Sequence, residues 1–346
     1  MGKNSYTFKL TPAQIQAAET RLSGGPWKPV EVPYSRVAVE AEGCRAILYA
    51  SGKLLVQGRG AEAFVQFVVE PDILGAVAIG YDETLHPEEY EPHMGIDESG
   101  KGDFFGPLVV AAAYVDADIA RDLRAMGVRD SKEITSDSAA LALARQVRAR
   151  LGEDRLAILR LAPETYNRLY EQFGSINRLL AWGHARCIEN LLGKVPSCPR
   201  ALSDQFGPDR QIRSALMEKG RRICFSQHPR AEADVAVAAA SILARAGFLV
   251  TMDALSKAAG TTLPKGASAA VAAAGRRYVE ARGGAALLGV AKVHFKTTDD
   301  ILRALGRTRA GEGLPPAREK KPFAPFARKK SPPPPPPGPT LPELLP

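Results

Sequence analysis

Apolar and polar residues alternate with a period of two along "SRVAVEAEGCRAILYASGKLLVQG", residues 35–58, with breaks at Glu42-Gly43 and Ser51-Gly52. Such alternation predicts strands with one buried face, and the breaks are tight-turn signals. Upstream, "TPAQIQAAETRL" predicts a helix, with Thr11 as its cap, Pro12 at the first helical position and Gln14 three residues after the cap. Downstream, "AEAFVQFVVEPDIL" predicts a second helix that closes over the sheet. Residues 1–75 are thus expected to form a small α+β module. A stretch rich in Asp, Glu, Pro and Tyr follows, and residues 76–92 read as a linker.

The pattern changes from His93 onward. "HMGID" and "PLVVAAAYV" read as strands joined by a tight turn, which makes that pair antiparallel. "SAALALARQVRARL" and "SINRLLAWGHARCIENLLGK" have helical periodicity, "RLAILRLAP" and "PRALSDQF" read as strands, and "ADVAVAAASILARAGFLVTM" as a helix. Strands alternating with helices predict a mixed α/β sheet over residues 93–306. Residues 307–346 end in "SPPPPPPGPTLPELLP", a composition that builds no core, so this segment is expected to be a disordered, basic, Pro-rich tail.

The formal net charge is +8, which suits a polyanionic partner. Much of it is local: Arg307 to Lys330 holds eight Lys and Arg against two Glu. The charge of the remaining chain alone would not point to nucleic acid. The four cysteines are scattered without CxxC spacing and read as thiols in a reducing compartment. No apolar run is expected to reach membrane-spanning length, "MGKNSYTFK" lacks a signal-peptide core, and Tyr6 breaks the myristoylation pattern. A cytoplasmic protein without membrane contact is expected.

The densest chemistry lies in "GIDESGKGDFFGPLVVAAAYV", Gly95 to Val115. Asp97 ends an apolar strand, where an unpaired charge is costly to desolvate. Glu98 points to the other face of a regular strand, so both acids reach one site only if the chain bends, and Gly100 and Gly102 allow a bend. Asp204 ends another strand, and Glu232 and Asp234 stand at a helix start whose small residues allow close packing. Each acid has an ordinary explanation: a solvated turn, an Asx-turn, a favourable charge at a helix N-terminus. As a set, oxygen-only ligands from strand ends suit Mg²⁺ or Mn²⁺ rather than zinc. Two such ions form a clamp for phosphodiester cleavage.

The Gly95–Val115 stretch resembles the signature of the type 2 ribonucleases H, and within them the ribonuclease HIII group. The resemblance continues in "RDSKEIT", "INRLLAWGHA", "SDQF", "VAAASILAR", "LPKGAS" and "AKVHFKT", and in "LTPAQI" and "YASGKLLVQG" of the first module. It implies a ribonuclease H-like mixed sheet with flanking helices, preceded by a TBP-like substrate-binding domain. It also implies a monomeric endonuclease that hydrolyses the RNA strand of an RNA/DNA hybrid with two Mg²⁺ or Mn²⁺ ions. The catalytic and metal-binding carboxylates become Asp97, Glu98, Asp204 and a fourth acid before "VAAAS". The family places that acid six residues before the Val, whereas Glu232 lies five before Val237 and Asp234 three, so Glu232 fits with a one-residue deletion. The Gly100-Lys101-Gly102 turn is implied to lie along the substrate backbone, where main-chain groups read a ribose 2′-hydroxyl. Lys101 is implied to meet phosphate, with a solvated turn lysine as the alternative. Lys53 and Gln57 are implied hybrid contacts, with exposed strand residues as the alternative. Asp103 reads as a turn cap, His184 as packing, and His294 as either core or substrate contact.

Two other readings compete. An enzyme acting on single ribonucleotides embedded in DNA would lack this turn and this N-terminal module. A silent hybrid-binding protein would have lost a carboxylate, and all four places are filled.

Overall fold

The computed structural model describes residues 4–75, 87–128, 134, 136–229 and 231–317. Most of "RDSKEIT" lies outside them.

The first module opens with a strand that the sequence pattern does not reveal, β1 (Ser5–Lys9), followed by α1 (Pro12–Ser23). The expected capping box is present, with Thr11 and Gln14 bonding each other's main-chain amides. Strands β2 (Lys28–Pro29), β3 (Ser35–Ala41), β4 (Cys44–Tyr49) and β5 (Lys53–Gly58) complete an antiparallel sheet of order β1-β5-β4-β3-β2. Leu54, Val56, Ala46 and Leu48 point to one face and join a core with Ala18 and Leu22 of α1. The expected second helix is only one turn of α-helix, α2 (Ala61–Phe64), continued by a π-helix over Val65–Leu74. Pro71 has no N–H to donate inside it, and the wider turns accommodate this at the cost of regular bonding.

The second sheet has the order β10-β9-β6-β7-β8. It comprises β6 (His93–Ser99), β7 (Leu108–Val115), β8 (Leu156–Leu161), β9 (Arg200–Asp204) and β10 (Cys224–His228). As expected, β6 and β7 pair antiparallel, and β9 and β10 add in parallel beyond β6. One face is covered by α3 (Ala117–Ala125), α4 (Asp137–Leu151) and the long α8 (Val235–Ala259). The other face carries α5 (Pro163–Phe173), α6 (Ile176–Leu192) and α7 (Asp209–Ala215). Helices α9 (Ala269–Arg282) and α10 (Lys296–Ala304) pack on the core beneath α8.

Helix α8 crosses β6 at backbone contact. A Cβ on Gly95 would stand 2.1 Å from the Val237 nitrogen, so only glycine fits there. The alanines of "VAVAAAS" permit this approach. One expectation is corrected here: α8 is long and apolar enough to span a membrane, with mean hydropathy 1.9. Its composition is explained by position, because 72% of that apolar window is buried inside the protein.

Two expected boundaries also move. Residues 87–92 of the expected linker are tied to the second domain, with Glu89 paired to Arg124 and the Glu91 carbonyl accepting from His93 Nδ1 at 2.6 Å. The expected tail does not begin at 307. Leu314 is buried in the core, and Arg309 binds Asp299 (2.6 Å) and the Val293 carbonyl (2.8 Å), so residues 307–317 form a packed strap. Residues 318–346 lie outside the described residues. All four cysteines are free thiols, three of them buried.

Candidate active site

Strand register builds the site. Ile96 pairs with Ser203, so the next residues, Asp97 two positions before the end of β6 and Asp204 at the end of β9, stand side by side on neighbouring parallel strands. Asp97 shares the face of Gly95 and meets Ser241 of α8, which hydrogen-bonds its carboxylate. Burial, with the charges of Glu98 and Asp204 adding to it, pushes the Asp97 carboxyl up to about 7.

Glu98 points to the opposite face, toward α6. His184 Nε2 lies 3.0 Å from Glu98 Oε2, and Lys101 Nζ 3.6 Å from Glu98 Oε1. Burial alone would raise the Glu98 carboxyl; the His184 bond and charge, with Lys101, outweigh it and hold it below its ordinary value. The pairing with Val109 continues through Ser99, and the bend comes only at Gly100. The two acids thus flank the strand end rather than being folded together.

From the sequence, His184 reads as packing in preference to catalysis. It is fully buried against Phe206, as packing requires, but both ring nitrogens are engaged, Nδ1 with Ser203 Oγ at 3.1 Å. It links Glu98 of β6 to Ser203 of β9, and a lone His in a helical pattern gives no hint of that.

The two helix-start acids separate cleanly. Asp234 caps α8, accepting from the Ala236 and Val237 amides at 2.8 and 3.1 Å, and its Oδ2 lies 3.0 Å from His93 Nε2. Burial opposes the charged form of Asp234, but the bond and charge of His93, with those amides, hold its carboxyl below its ordinary value. Glu232 lies on the 3₁₀ turn Ala231–Ala233, next to the Ala231 amide that donates to Asp204 Oδ1 at 3.2 Å.

Gly100 has φ +92, and a Cβ there would meet the Pro107 carbonyl at 2.3 Å and the Phe248 ring at 2.8 Å. Gly102 has nothing within 4 Å of that position, so the outer side of the turn is open. Lys101 stands at its rim, 5.7 Å from the Phe206 ring. The signature aromatics Phe104 and Phe105 are wholly buried, edge to face at 4.8 Å, and wedge the turn onto the core. Asp103 reaches farther than a turn cap, accepting from the Gly266 amide at 2.6 Å. His294 stacks on Tyr170 at 3.9 Å, which places it in an aromatic cluster.

On the first module, Lys53 and Gln57 are exposed on the open face of the sheet. Register sets Lys53 beside Lys9, and Gln57 beside Ser5 and Arg45. Sequence reasoning missed Lys9 and Arg45 because only pairing brings them alongside.

Among the described residues, no three His, Cys, Asp or Glu side chains converge closely enough to cage an ion. Mg²⁺ rarely needs such a cage: one or two carboxylates, waters and substrate phosphates commonly hold it. The donors fit a hard divalent cation. They are all oxygens, and the negative charge concentrated around half-buried Asp97 calls for neutralisation.

Comparison with known proteins gives the family. Residues 94–298 match the ribonuclease HII family. The chain is 41% identical over 274 residues to ribonuclease HIII of Protochlamydia amoebophila, covering 79% of this chain and 89% of that protein. It is 44% identical over 256 residues to ribonuclease HIII of Chlamydia pneumoniae, covering 73% and 83%. The chain belongs to the type 2 ribonucleases H, as a ribonuclease HIII. Its fold follows the crystal structure of Bst-RNase HIII in complex with Mn²⁺, with TM-score 0.61 and 31% identity, covering 87% of this chain and 98% of that one. It is accordingly an endoribonuclease that cleaves RNA in RNA/DNA hybrids.

Proposed function

We propose that the chain hydrolyses the RNA strand with two Mg²⁺ or Mn²⁺ ions held by Asp97, Glu98, Asp204 and Glu232, leaving 5′-phosphate and 3′-hydroxyl ends. The single observation that carries this is the side-by-side placement of Asp97 and Asp204, with the Asp97 carboxyl raised to about 7. Ions held by these carboxylates would supply the positive charge that favours ionisation of the attacking water and departure of the 3′-oxygen. Ser241 orients the Asp97 carboxylate, and His184 holds one Glu98 oxygen. Glu232 is the fourth acid, since Asp234 is occupied by the helix cap and His93.

Substrate is gripped at two places. The open side of the Gly100-Lys101-Gly102 turn lies along the backbone, where main-chain groups read the 2′-hydroxyl and Lys101 meets phosphate. The second grip is the open sheet face of the first module. Lys9 and Lys53 stand directly opposite each other there, a like-charge pair that destabilises a free sheet and is relieved by a polyanion.

The test is cleavage of three labelled duplexes, with Mg²⁺ and Mn²⁺ in turn: RNA/DNA, DNA with one ribonucleotide, and RNA/RNA. RNA/DNA is expected to be cut at many positions, well ahead of the other two. Preferential cutting at the single ribonucleotide would overturn the reading. In the full chain, Lys53→Ala combined with Gln57→Ala is expected to raise KM about tenfold with little change in kcat, because these contacts bind ground and transition states alike. An unchanged KM would remove the first module from substrate binding.

A further inference from the structure

Lys292 is wholly buried, and its ammonium group faces the inner side of the signature turn. Nζ donates to the main-chain carbonyls of Asp103 at 2.9 Å, Gly106 at 2.8 Å and Phe105 at 3.4 Å. The Tyr166 ring lies 5.6 Å away. We propose that Lys292 is a positioning residue for substrate recognition, holding the Gly100–Gly106 turn in the shape that tells an RNA/DNA hybrid from a DNA duplex. This rests on the hybrid-cleaving function above.

The three carbonyls point into an interior lined by Phe104, Phe105 and Tyr166, where each would be costly without a donor. A compact ammonium with three N–H groups matches three acceptors, which a flat guanidinium cannot do in that space. The surrounding main chain is locked to the same segment. The Lys292 amide donates to Phe104 O and the Gly106 amide to Val290 O, both at 2.8 Å, and Phe105 bridges Ala291. The Phe104 amide donates to Gly266 O at 2.8 Å. The inner side of the turn is therefore fixed throughout, while its outer side at Gly102 is open. Burial pushes the Lys292 ammonium down to about 7, against a smaller opposing pull from Asp103. A buried charge that only holds carbonyls is explained by the need for one turn geometry.

Lys292→Met keeps most of the length of the side chain and removes its donors. Affinities for RNA/DNA hybrid and for plain DNA duplex are measured without divalent metal, beside wild type, with circular dichroism to confirm folding. The expected result is about tenfold weaker hybrid binding, the loss of roughly one good contact, with DNA binding changed less than twofold. Unchanged hybrid binding, or equal loss on both duplexes, overturns the proposal. Failure of wild type to cleave hybrid would instead sink the function on which it rests.

If the Met variant does not fold, amide exchange in wild type decides. Asp103, Tyr166 and His294 face Lys292; burial, with Lys292 and Arg309 adding to it, holds His294 at about 4, and burial pushes the Tyr166 hydroxyl up. Between pH 6 and 8.5, the protection factors of the Phe104 and Gly106 amides are expected to fall about tenfold relative to Ala112 in β7 as the clamp loses its proton. Parallel behaviour of the three amides overturns the proposal.

Discussion

Asp97→Asn is expected to bind RNA/DNA hybrid as wild type does and to cleave it at least about a thousandfold more slowly, a loss of roughly 4 kcal/mol in transition-state stabilisation. The substitution is nearly isosteric and keeps an oxygen for Ser241, so the strand end and the helix contact survive. What it removes is the charge that the metal requires. Turnover within tenfold of wild type, with metal saturating, would sink the assignment of Asp97 as a ligand.

The same variant has a thermal signature independent of turnover. Because the folded-state carboxyl of Asp97 is raised from 3.8 to about 7, the metal-free native state holds its proton more tightly than the unfolded state. Stability from this group is present below pH 4 and lost as pH rises to about 7. With metal chelated, Asp97→Asn is therefore expected to melt progressively higher than wild type across that window and by a constant margin above it. Glu98 is held low and contributes in the opposite sense, and removing the neighbouring Asp97 charge eases its ionisation, which adds to the variant's advantage. Adding Mn²⁺ should raise the melting temperature of wild type and leave the variant nearly still. Equal metal-induced shifts would contradict a metal site at Asp97.

The sequence displays the acids at which an apolar run stops, because that is a local pattern, even though β6 runs on two residues past Asp97. Asp97 and Asp204 are legible for that reason, and so are the mixed sheet and the capped α1. What it hides is made by pairing between distant segments. His184 reaches Glu98 across 86 positions, and Lys292 reaches Asp103 across 189. Neither contact leaves a periodicity, since a buried His or Lys within an apolar stretch looks like filler. Strand β1 escapes because its residues are mostly exposed, leaving only Tyr6 and Phe8 as half-buried alternation. The strap over residues 307–317 was hidden by its composition. Pro, Gly and Arg suggest a loose tail, yet Arg309 and Leu314 anchor it to the core.

The two acids at the start of α8 give the second large effect, and it divides chemistry from stability. Glu232→Gln is expected to lower cleavage at least about a hundredfold while leaving the melting temperature within a degree or two of wild type, as suits a polar substitution at a site that serves a metal. Asp234→Asn should behave in the opposite way. Asn still accepts from the Ala236 and Val237 amides and remains a good cap, so α8 starts in the same place. His93, wholly buried, would then face a neutral amide where it had a carboxylate 3.0 Å away, at a cost of about 1–3 kcal/mol in stability. At temperatures well below its lowered melting point, Asp234→Asn should keep cleavage within about fivefold of wild type. The measurement is a pair of melting curves and a pair of saturation curves on RNA/DNA hybrid for each variant. If Asp234→Asn loses cleavage while Glu232→Gln retains it, the fourth carboxylate is Asp234. The His93 pair would then be a device for orienting a metal ligand instead of a structural anchor.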